Sequence, residues 1–269
     1  MAITDYYVEQ GSGEPIVFIH GSFANTSTWK YMVNNLSDRY RCICIKQPGH
    51  GGAPAPEDFS DPSVDTEVDI VEQVLNHLDL GPIHLVAHSF GGVVAVAVAL
   101  SGRVPLRAMT LFEPVLTGIL EMSGRDEDAK AVDQFCDDYR TAIAEGETYA
   151  CRRVINFWGG EGQFEKMPEF IKEAMDPLTD YNARHWDLCQ KTVYPIEVYE
   201  EFSVPTQLVC GDQSSSIVRS ISECLLTHLA NAKMDVIFSA SHFLVTSHAE
   251  KCLNFVSEVE LNIAHSKAD

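Results

Sequence analysis

Short runs of consecutive apolar residues alternate along the chain with longer segments whose apolar positions recur every three or four residues. Runs of the first kind read as strands buried on both faces, and segments of the second kind read as helices. Strands are predicted over 16–20, 41–46, 83–88, 108–112, 206–210 and 234–238. Helices are predicted around 29–36, over 66–78, 90–101 and 217–229, and over 248–263 at the C-terminal end. In the helix over 66–78, Val68, Val71, Val74, Leu75 and Leu78 fall on one face, and Asp79–Leu80–Gly81–Pro82 closes it. Strands alternating with helices imply an α/β chain with a mainly parallel sheet.

From about residue 115 to residue 200 that alternation stops. The segment reads as helical throughout and carries 18 Asp/Glu against 9 Lys/Arg. A helical insertion between two strands of one sheet points to a cap, with residues 1–114 and 201–269 forming the core beneath it. Its Phe157, Trp158, Phe164, Met167, Phe170, Met175 and Trp186 fit an apolar pocket wall and lid packing equally well. His185, also in the insertion, has two readings, a substrate-pocket wall or a solvated residue, and the solvated one is preferred. The acidic helix around 133–144 reads as a solvated face.

Composition narrows the picture. The 269 residues carry a net charge of −20 with no basic stripe, which makes nucleic acid and anionic membrane poor partners. The first residues lack the basic and apolar regions of a secretory signal, and 83–100 is too broken by His, Ser and Gly to read as a membrane span. Eight scattered cysteines form no C-x-x-C pair or metal spacing and are expected to be reduced and buried, as in a cytoplasmic protein. No cofactor or metal motif is present. A monomer or homodimer acting on a small molecule is expected.

The strongest chemical signal is Ala87–His88–Ser89–Phe90–Gly91–Gly92, between a predicted strand and an apolar helix. A nucleophilic serine exposed on a tight strand-to-helix turn needs small residues two positions to either side, here Ala87 and Gly91. The helix that follows aims its first N–H groups at developing negative charge. Phe18–Ile19–His20–Gly21–Ser22–Phe23 ends another strand, and the Ser22 and Phe90 N–H groups could together form an oxyanion hole. Among ten histidines, His242, in Ser241–His242–Phe243 after the last strand, is best placed as general base. His20, His50, His84 and His228 read as structural, and His248 as a surface or capping residue.

On HGSF at 20–23, PGHG at 48–51, AHSFGG at 87–92 and SHF at 241–243, the chain resembles the α/β-hydrolase superfamily along nearly its whole length. The resemblance implies an eight-stranded, mostly parallel sheet and a Ser–His–acid triad. Relatives such as haloalkane dehalogenases and epoxide hydrolases carry Asp at the elbow, whereas Ser89 favours an acyl-enzyme. The family's usual acid position, in G-x-x-D, is Ser214 here. Glu113, at the end of the strand over 108–112, is the preferred acid, and Asp212 is the alternative. The expected activity is serine hydrolysis of carboxylic esters, with Phe23, Phe157, Trp158 and Trp186 contacting substrate. A thioesterase, lactonase, C–C hydrolase or perhydrolase stays open, as does a ligand receptor built on the same scaffold.

Overall fold

The computed structural model describes residues 2–266. A seven-stranded sheet runs in the order β1-β3-β2-β4-β5-β6-β7. Its strands are β1 (Tyr7–Gln10), β2 (Glu14–Ile19), β3 (Tyr40–Ile45), β4 (Ile83–His88), β5 (Leu106–Phe112), β6 (Thr206–Gly211) and β7 (Ala232–Ile237). Only β1 is antiparallel, pairing with β3 at the edge. The expected count of eight strands is corrected to seven among the described residues. The chain before β2 makes one 3₁₀ turn over Ile3–Tyr6 and then the four-residue β1. Most β1 side chains are exposed, so no apolar run announced it.

Both faces of the sheet are covered, and alternate residues sort accordingly. Val17 and Ile19 of β2 point into one apolar cluster, while Ile16 and Phe18 point into the other. The first cluster includes residues of α2 (Val64–His77), α3 (Phe90–Ser101) and α10 (Ser216–His228). The second packs α1 (Lys30–Leu36), α11 (Leu244–Ser247) and α12 (Ala249–Ser266). Helix α3 runs beside the central strands with Phe90 through Ala99 buried, which explains its nearly uniform apolar sequence. All eight cysteines are free and buried.

Between β5 and β6 the chain forms α4 (Gly118–Met122), α5 (Asp126–Ala144), α6 (Cys151–Gly159), α7 (Glu169–Met175), α8 (Thr179–Lys191) and α9 (Ile196–Glu200). Val132, Tyr139, Trp158, Trp186 and Tyr199 from these helices join the same apolar cluster as the sheet and α3. The insertion therefore shares the main core. One buried ionic joint adds to this: Arg184 of α8 reaches Glu67 of α2 at 2.5 Å and Asp58 at 2.7 Å. Burial pushes the Glu67 carboxyl up to about 6, even though Arg184 opposes that shift.

Candidate active site

The loops that leave the C-terminal ends of β2, β4 and β5, and those after β6 and β7, converge at one edge of the sheet, where open α/β sheets place their ligands. Ser89 sits between β4 and α3 with φ 55° and ψ −125°, a region an ordinary L-residue avoids. Its N–H is held by the Phe112 carbonyl at 3.1 Å. Close packing fixes the turn. A Cβ at Gly91 would collide with the Ile19 carbonyl oxygen, and one at Gly21 would lie 2.9 Å from the Ser89 Cβ. Both positions must stay glycine for the β2 loop to lie against the serine.

His242 bridges two partners. Its Nε2 lies 2.9 Å from Ser89 Oγ and its Nδ1 lies 2.7 Å from Glu113 Oε2. Glu113 is fully buried and has a positive φ of 47° where the chain leaves β5. Its other oxygen accepts from the Gly211 N–H and from the Ser214 hydroxyl, each at 2.6 Å. Ser214, which stands where the family pattern has its acid, thus supports a carboxylate delivered from the neighbouring strand. Asp212 is exposed and accepts from the Ser239 N–H at 2.6 Å, which makes it a turn residue.

A second histidine braces the first. His88, adjacent to Ser89, donates from Nε2 to the His242 carbonyl at 2.8 Å. Burial pushes the His88 ring down to about 3, so it stays neutral at neutral pH. His20, also driven to about 3 by burial, packs under the β2 loop, where Gln47 bonds its carbonyl. His50 anchors its own turn through the Pro48 carbonyl. His84 lies away from the edge and bonds Glu260 and Thr110, each at 2.8 Å.

Ser22, Phe23, Phe90, Trp158 and Trp186 line a cavity of about 570 Å³ that also includes Ser89 and His242. The Phe90 N–H is the first of α3 and has no intrahelical acceptor. Trp158 stacks on Trp186 at 5.3 Å and lies 6.0 Å from the His242 ring. Phe157 does not line the cavity, contrary to expectation. It turns into the insertion and stacks on Phe135 at 4.0 Å, because neighbours on a helix face different ways. Met167 and Met175 line the cavity, Phe164 packs in a side cluster, and Phe170 is exposed.

His185 is the larger correction. It is buried, its Nδ1 lies 2.6 Å from Ser22 Oγ, and its ring stacks on Phe90 at 3.8 Å. Burial, then the nearby His50 and Arg184, push its pKa well below the usual value. Asn182, His185, Trp186 and Cys189 all line the cavity. They are spaced as i, i+3, i+4 and i+7, the single helical face that α8 turns to the site. That spacing was present in the sequence; the side of α8 that would be covered was not. Among the described residues, no cluster of His, Cys, Asp or Glu is arranged to hold a metal ion, and no helix is long and apolar enough to cross a membrane.

The pattern of the alpha/beta hydrolase family matches residues 16–254, and the chain belongs to that family. It is 29% identical to an (E)-2-((N-methylformamido)methylene)succinate hydrolase of Acinetobacter baylyi, covering 93% of this chain and 91% of the relative. A non-heme chloroperoxidase of Kitasatospora aureofaciens is 26% identical over 91% of each chain. Among solved structures, MenH from S. aureus superposes with a TM-score of 0.76 at 18% identity, covering 96% of this chain and 99% of that one. A thermophilic esterase from Thermogutta terrifontis gives 0.76 at 19% identity, covering 96% and 93%. Family and relatives together place the chain among hydrolytic enzymes.

Proposed function

We propose that the protein is a serine hydrolase of carboxylic esters that works through an acyl-enzyme on Ser89. The observation that carries this reading is the bridge formed by His242, with Ser89 Oγ at one ring nitrogen and the Glu113 carboxylate at the other. Glu113 fixes the tautomer in which Nδ1 carries the proton, leaving the Nε2 lone pair facing the serine. As Ser89 Oγ attacks the ester carbonyl, its proton passes to Nε2. The carbonyl oxygen becomes an anion that accepts from the Ser22 and Phe90 N–H groups. Collapse breaks the bond to the alkoxy group, which leaves with the proton from Nε2. Water then repeats the cycle: its oxygen bonds to the acyl carbon as Nε2 takes its proton, the acyl–serine bond breaks as that proton passes to Ser89 Oγ, and the acid is released.

Residues 115–200 act as the lid over a core of 1–114 and 201–269. Their role is to exclude water and shape an apolar acyl pocket from Trp158, Met175 and Trp186. A ligand receptor on the same scaffold would be favoured by an incomplete triad, and position 214 carries Ser where the family pattern has its acid. With Glu113 bonded to His242 and Ser214 bonded to Glu113, the receptor reading loses the observation that favoured it.

Turnover of p-nitrophenyl esters of graded chain length, with lactones and thioesters beside them, tests the proposal against Ser89→Ala. A fluorophosphonate should label the parent protein at Ser89, and Ser89→Ala should lose both labelling and turnover. Turnover by Ser89→Ala near the parent rate would overturn the assignment. Labelling without sustained turnover of any substrate would return the receptor reading.

A further inference from the structure

Asn182 is 2% exposed and lines the cavity that holds Ser89, yet its side-chain oxygen accepts no hydrogen bond among the described residues. Its Oδ1 is shut off from solvent without a partner. Buried side-chain amides are ordinarily satisfied, so one with an unpaired oxygen at the wall of a reaction cavity stands out as waiting for a ligand group. One helical turn further along α8, His185 is fixed at Nδ1 by Ser22 and pressed against Phe90. Asn182 and His185 form a neutral polar edge in a cavity otherwise walled on that helix by Trp186 and Cys189.

We propose that Asn182, with His185, recognises an amide carried on the acyl chain of the substrate. A carboxamide presents a donor and an acceptor together, and the group that answers both is another amide. The acyl side follows from position. The leaving group must sit at His242, which protonates it, whereas His185 touches Ser22 and Phe90 on the oxyanion side. Three residues, a rise of about 4.5 Å, separate Asn182 from His185 along α8. That spacing suits an amide three or four bonds from the ester carbonyl, as in an N-acyl-β-alanyl ester. The inference rests on the acyl-enzyme reading for which end of the substrate lies where.

The test measures binding in the Ser89→Ala protein, where no turnover occurs, by the fluorescence of the Trp158–Trp186 pair in the cavity wall. The probes are methyl N-acetyl-β-alaninate and methyl hexanoate, which match in acyl chain length and differ by the amide. The amide ester should bind more tightly than the hexanoate. Adding Asn182→Leu should weaken the amide ester by about tenfold or more and leave the hexanoate unchanged or tighter. Asn182→Ala, checked by circular dichroism, replaces it should the leucine variant fail to fold. Equal binding of the two esters, no binding of either, or an amide preference that survives loss of Asn182 overturns the proposal. Hydrolysis that persists in Ser89→Ala overturns the acyl-enzyme reading instead, so the two failures are distinct.

Discussion

The sheet edge and the helical insertion contribute to the same cavity by different physical means. At the sheet edge, Ser89 and Glu113 are held by strand ends in backbone conformations with positive φ, and His242 is fixed at both ring nitrogens and at its carbonyl. Each of those atoms is placed by short-range covalent geometry and hydrogen bonds. The insertion instead presents one face of α8 and the Trp158–Trp186 stack, placed by apolar packing and one buried ion pair. The edge is built for atomic placement, and the insertion for shape and exclusion. Changes at the edge should therefore act on kcat with the fold intact, while changes in the insertion should act on stability and substrate choice.

The sharpest way to break this contrast is at the acid. Glu113→Gln should leave the fold in place and lower kcat on the order of 10²–10⁴, because the amide cannot stabilise the imidazolium. Asp212→Asn should stay within about twofold, since its carboxylate only caps a turn. Steady-state kinetics on a p-nitrophenyl ester decides this, and a steep loss in Asp212→Asn with little in Glu113→Gln would reverse the assignment.

Next in size is the ionic joint. Arg184→Met leaves the Glu67 carboxylate buried without its cation, and should destabilise the protein by roughly 3–5 kcal/mol. Denaturant unfolding measures that loss. If stability is unchanged, packing alone fixes the insertion to the core.

Pocket shape comes third. Trp186→Leu should shift preference toward longer acyl chains, changing the ratio of kcat/KM between long and short esters roughly tenfold, the scale of a methylene or two in an apolar pocket. An unchanged chain-length profile would mean that α8 does not bound the acyl group.

The smallest effect is a pH dependence. The folded-state value of Glu67, about 6, lies above its ordinary 4.5. Between those values the folded protein binds more protons than the unfolded chain, so this group's contribution to stability grows as pH falls through that window. The stability of the parent relative to Glu67→Gln should rise between pH 7 and 4.5, by on the order of 2 kcal/mol at most. Parallel unfolding curves at the two pH values would show that Glu67 titrates normally.

The elements around the nucleophile were legible from residue order alone. The strand Ile83–His88 and helix Phe90–Ser101 have the boundaries the pattern predicts, because an all-buried strand, a small-residue turn and an all-buried helix leave no competing local reading. Strand β1 was not legible, since its four residues are mostly exposed and pair at an edge. Nor could residue order choose between Glu113 and Asp212, as both precede His242 and follow Ser89. That choice depends on reach, and β5 and β6 lie side by side so that Glu113 meets His242 while Ser214 meets Glu113.

The sequence by itself determined the fold class, the place of the elbow, and the nucleophile and base candidates, because these follow from local steric needs and short-range periodicity. Only the tertiary structure decided which carboxylate faces the imidazole, that Phe157 turns away from the cavity, and that His185 and Asn182 turn toward it. Those outcomes depend on how α8 docks against Phe90, His50 and Glu67, contacts between segments far apart in the chain. A helix's periodicity defines its faces, but its neighbours decide which face becomes a wall.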